Sequence, residues 1–63
     1  MDDPRRARIL TCAQEVFASE GFRSAEVKTI AERAGVGKAT IYKFFPSKEA
    51  LLLTIVKENL NTI

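Results

Sequence analysis

The stretch AGVGKATIYKFFPSKEAL, residues 34–51, decides how the chain folds. Before it, Val27, Ile30, Ala31 and Ala34 recur at helical spacing. Gly35 directly after such a stripe supplies the left-handed residue that ends a helix, and Val36 then folds back toward Ala31. Gly37 is a tolerable helix cap, weaker than serine by about a few tenths of a kcal/mol. The spacing predicts a further helix over residues 38–45, with Ile41 and Phe45 facing inward and Phe44 at the edge. Pro46 stops that helix, and Ser47 caps the next. Two helices joined by a short turn with a glycine form a helix-turn-helix.

The flanks extend this pattern. Asp3 is a good N-cap and Pro4 suits the first helical position, where its missing N–H costs nothing. Ile9, Ala13, Val16 and Phe17 then recur at helical spacing, with Leu10 and Cys12 beside them. Gly21 is expected to end this first helix in the left-handed conformation, with Phe22 packing back on Phe17. Ser24 is the expected cap of the second helix. The last helix carries Leu51, Leu52, Leu53, Ile55, Val56, Leu60 and Ile63. No strand pattern, repeat or low-complexity tract competes. The expected fold is therefore all-α, a three-helix unit over residues 1–46 and a fourth helix over residues 47–63.

Composition narrows the function. The chain has 63 residues, a net charge of +2, one cysteine and no histidine. A domain this short buries only about 60% of its unfolded surface, so its stability is expected to be marginal. No carboxylate or cysteine cluster has ligand spacing. Metal catalysis and Ser-His or Cys-His nucleophile chemistry have no material to work with, and neither an enzyme, a cofactor nor a metal site is expected. There is no apolar run long enough for a membrane span and no signal-peptide pattern. The lone Cys12 is read as an inert buried thiol, in keeping with a reducing cytoplasm.

A helix-turn-helix sends its second helix into the DNA major groove N-terminus first. Small leading residues let the backbone approach, and polar side chains must point away from the apolar stripe. Gly37 and Ala39 are small, and Lys38, Thr40, Tyr42 and Lys43 lie off the stripe of Ile41 and Phe45. Gly35 and Gly37 are backbone devices.

With these residues in view, IAERAGVGKATIYKFFPSKEAL and RILTCAQEVFASEGF resemble the N-terminal DNA-binding domain of the TetR family of transcriptional regulators. The resemblance runs over roughly residues 5–56. It implies a DNA-binding unit of three helices, a fourth helix leading onward, and a further C-terminal domain for dimerisation and a small-molecule ligand. It implies double-stranded DNA as the partner, a palindromic operator, and usually a repressor. By position, Thr40, Tyr42 and Lys48 match family residues that contact phosphates, while Lys38, Ala39 and Lys43 match positions facing bases or backbone in the groove. Lys28 is a further candidate for phosphate. The chain departs from the family pattern at Ala25-Glu26, where two threonines are usual, at Gly37, where serine is common, and at Phe44, where histidine or tyrosine is common.

Two other expectations stand beside this one. The basic corner could serve a protein partner, making the chain a small helical interaction module. One helix cannot bury two apolar faces against so small a domain, so Leu53, Val56, Leu60 and Ile63 are expected to be exposed or to pair two chains.

Overall fold

The computed structural model describes residues 3–61, and side chains as far as residue 58. Four helices follow one another: α1 (Pro4–Glu20), α2 (Val27–Ala34), α3 (Lys38–Phe44) and α4 (Lys48–Asn61). No strand is found among the described residues. The all-α expectation holds.

Helix α1 starts where the sequence places it. Asp3 is extended, and its carboxylate accepts from the Arg5 N–H at 2.9 Å. Ile9, Leu10, Cys12, Ala13 and Val16 are buried along one face of α1. They meet Ile30, Ala31 and Ala34 of α2, Ile41 of α3, and Leu51 and Ile55 of α4 in one core. Ile9, Ala13, Ile30, Ile41 and Leu51 are fully excluded from solvent. The first helix thus forms the floor on which the other three rest.

The α2–α3 turn is the Schellman arrangement that Gly35 implied. Gly35 is left-handed at φ 73°, ψ 30°. The Val36 N–H reaches back to the Ala31 carbonyl at 3.0 Å, and the Gly35 N–H donates to the Glu32 carbonyl at 3.3 Å. Val36 packs against the core. Gly37 is extended before α3, as expected of a cap.

Three local expectations are corrected. Gly21 has positive φ, but its ψ of 153° lies outside the left-handed helical well. The chain therefore leaves α1 in an extended direction, although Phe22 does pack on Phe17, the rings tilted by 56° with centroids 5.3 Å apart. Ser24 does not cap α2; the cap position is Glu26, which makes no side-chain capping bond. Buried Ala25 pulls the segment inward and delays the helix start. Helix α3 ends at Phe44, one residue early. Phe45 is extended at φ −137°, ψ 110°, the conformation that a following proline imposes.

Helix α4 shows the division expected of it. Ser47 Oγ accepts from the Ala50 N–H at 3.1 Å and caps the helix. Leu51 and Ile55 are buried, whereas Leu53 and Val56 are 60% and 46% exposed. The expectations for the Leu60 side chain and for Ile63 fall outside the described residues.

A Cβ added at Gly35 meets nothing within 4 Å, so any cost of replacing it comes from the backbone conformation alone. Gly35→Val is expected to lower the unfolding free energy by more than about 1 kcal/mol, with Gly35→Asn costing less. Denaturant titration of both variants checks this. Equal midpoints for valine and glycine would contradict a left-handed residue here.

Candidate nucleic-acid interface

Helix α3 spans seven residues and buries one of them, Ile41. With 3.6 residues per turn, placing Ile41 in the core turns Ala39 and Lys43 to the opposite side and Tyr42 to the flank, while Lys38 lies at the open first turn. All four are exposed, Tyr42 by 48%, and Thr40 is half-buried. The outward face thus carries small, cationic and phenolic side chains on a support fixed from below.

An open cleft of about 570 Å³ lies beside this helix. Lys28 of α2, Lys38 and Tyr42 of α3, and Ser47 and Lys48 at the start of α4 line it, together with Glu26. Four of the residues singled out in the sequence therefore converge here: Lys28, Lys38, Tyr42 and Lys48. Three ammonium groups against one carboxylate give the cleft lining a net positive charge. Ala39, Thr40 and Lys43 do not line it.

Lys43 belongs to the opposite flank of α3. Its charge helps to hold the Asp3 carboxyl below the ordinary value of 3.8, a minor cause beside the hydrogen bonds from Arg5. The Arg5 guanidinium is 2.9 Å from Asp3 and 5.8 Å from the centre of the Phe44 ring. Arg6 lies over the Phe45 ring at 5.4 Å and pairs with Glu58 of α4 at 3.3 Å. The beginning of α1 thus flanks the far end of α3.

Sequence reasoning missed two features. Glu26, not Ser24, takes the α2 cap position, and it lines the cleft. The resemblance implies a phosphate for Lys48. Its ammonium instead donates to the carbonyls of Phe22 at 2.7 Å, Ala25 at 3.0 Å and Arg23 at 3.4 Å. These partners lie more than twenty residues away in sequence, where no local pattern could reveal them. Among the described residues no group of three His, Cys, Asp or Glu side chains could hold a metal ion, and no helix is long and apolar enough to cross a membrane.

Comparison with known proteins points the same way. Residues 9–55 match the family model described as bacterial regulatory proteins, tetR family. The chain is 41% identical over 56 residues to the HTH-type transcriptional regulator UidR of Escherichia coli K12, an overlap covering 89% of this chain and 29% of UidR. It is 38% identical over 61 residues to the HTH-type transcriptional activator FasR of Mycolicibacterium smegmatis, covering 97% and 28% of the two chains. A solved structure described as "Molecular basis for control of antibiotic production by a bacterial hormones" superposes with a TM-score of 0.86 at 48% identity, over 92% of this chain and 31% of that one. The chain thus spans about three tenths of the length of the relatives it matches.

The Asp3 contact gives a measurable sign. A carboxyl whose folded value is depressed stabilises the fold above its unfolded value, and loses that contribution as pH falls through the folded value. Carboxyl ¹³C titration should place Asp3 below 3.8, and Arg5→Ala should move it back toward 3.8. An Asp3 midpoint unaffected by Arg5→Ala would dismiss this contact.

Proposed function

The chain belongs to the tetR family of bacterial regulatory proteins, and on that premise we propose that it is the DNA-reading head of a transcriptional regulator. The observation that carries the reading is the orientation of α3. Its single buried residue is Ile41, and Lys38, Ala39, Tyr42 and Lys43 are presented outward beside a lysine-lined cleft. That is the shape and charge with which a short helix enters a major groove.

In this reading Lys28, Lys38 and Lys43 supply the cationic field, and Thr40 and Tyr42 donate hydroxyl hydrogens to phosphate oxygens. These contacts give most of the affinity and fix the register. Lys38, Ala39 and Lys43 face base edges, where a lysine suits guanine and a small alanine admits a thymine methyl. Ala39 also keeps the helix close to the bases. Repression is the simplest output, because a head lodged in the groove occupies duplex that transcription needs. The place of action is the bacterial cytoplasm, where the chromosome lies. The reading assigns no catalysis to this head.

Two copies on a palindromic operator would set their recognition helices about 34 Å apart, one turn of DNA. Dimer contacts and a small-molecule ligand are assigned to parts of a longer protein. The exposed Leu53 and Val56 offer a face through which two of these chains can also pair. Such pairing need not produce the operator spacing, so this chain alone is expected to bind duplex DNA in the micromolar range or weaker, roughly as single heads do at physiological salt.

Fluorescence anisotropy with duplex DNA across a salt series tests the reading. Lys28→Ala should lower the slope of log affinity against log salt by about one. Tyr42→Phe should cost roughly 1 kcal/mol of binding, through one lost hydroxyl contact, and leave the melting temperature unchanged. Selection from a random duplex pool should enrich one sequence. Binding without salt dependence, or equal enrichment of all sequences, would favour a protein partner for this face.

A further inference from the structure

Lys48 begins α4, yet its side chain serves another part of the fold. The ammonium lies over the Phe22 ring at 4.5 Å and donates to the carbonyls of Phe22, Arg23 and Ala25. An ammonium has three N–H donors, and here three backbone carbonyls lie within 3.4 Å of its nitrogen. Those acceptors belong to the turn that joins α1 to α2. This turn enters α2 through Glu26, which contributes no side-chain capping bond. It is fixed instead by buried Ala25, by the Ala25 N–H on the Gly21 carbonyl, by Phe22 on Phe17, and by Lys48. Of these restraints, Lys48 is the one that reaches the turn from α4.

We propose that Lys48 is a positioning residue for DNA binding. Its ammonium clasps the α1–α2 turn to the start of α4, and so sets the height and angle at which α2, with Lys28, flanks the recognition helix. The proposal rests on the DNA-binding reading above and replaces a direct phosphate contact at this one residue. Chemistry separates the two roles. A phosphate ligand releases a counterion from DNA and is replaceable by any cation of similar reach. A clasp on three converging carbonyls needs the compact ammonium, whose donors point in three directions. The planar fork of a guanidinium does not match that geometry.

The test uses the whole chain with a fluorescein-labelled mixed-sequence duplex, titrated over a range of salt at a temperature where circular dichroism shows every variant folded. Lys48→Met should weaken binding about tenfold while the salt slope changes by less than about half a unit. Lys48→Arg, which keeps the charge, should also weaken binding, and amide exchange at Ala25 should quicken in both variants. If Lys48→Met fails to fold, Lys48→Arg decides alone. A slope lowered by about one in Lys48→Met, or wild-type affinity in Lys48→Arg, assigns the residue to phosphate and overturns the proposal. Unchanged affinity in a folded Lys48→Met also overturns it, leaving a purely structural role. An unsubstituted chain that ignores duplex DNA defeats the DNA-binding reading itself and this proposal with it; the other failures appear only when the unsubstituted chain binds.

Discussion

The seven-residue α3 depends on the burial of Ile41. A helix of under about twelve residues is marginal in water, because nucleation costs more than so few hydrogen bonds return. Tertiary packing must hold it. Complete burial of an isoleucine contributes roughly 1.5–3 kcal/mol, and Phe45, 3% exposed, anchors the residue that follows the helix. Pro46 makes that second anchor possible. It keeps Phe45 extended and lets the ring enter the core as the helix ends. With the helix held at these points, its remaining face is free to carry Lys38, Ala39, Tyr42 and Lys43.

The floor beneath Ile41 is equally economical. Helix α1 places Ile9, Ala13 and Val16 against residues of all three other helices. Ala13, Ala31 and Ala34 let the backbones approach closely, and Ile9, Ile30 and Leu51 fill the space between them. The ion pair of Arg33 with Glu15 is 3.4 Å long, with both side chains more than half exposed. Such a pair contributes about 0–1 kcal/mol. The orientation of α2 on α1 therefore follows from side-chain volume.

Much of this was legible in the sequence, for reasons of range. Asp3-Pro4, Gly35-Val36 and Ser47 act within a few residues of themselves, and each forms the local structure its chemistry predicts. The inward face of α3 follows from the spacing of Ile41 and Phe45. The α1–α2 turn was read less well. Ser24 has the chemistry of a cap, but the segment is organised by buried Ala25 and by a lysine from α4. The cleft was half visible: the sequence supplied Lys28, Lys38, Tyr42 and Lys48 as separate candidates, and only the packing of α2, α3 and α4 puts them on one surface. Glu26 lay in plain view as a departure from the family pattern, yet its place as a cap on the rim depends on where α2 begins.

The central claim is that burying Ile41 turns the face of α3 bearing Lys38, Ala39, Tyr42 and Lys43 toward duplex DNA. The most direct measurement is a two-dimensional amide NMR spectrum of the labelled chain, free and with duplex DNA added. The shifts that move should cluster at residues 26–28 and 37–43, and at the start of α4. Amides on the Arg33–Glu15 side and around Leu53 and Val56 should stay in place. Perturbation centred on the Leu53 and Val56 face, with residues 37–43 unmoved, would contradict the account.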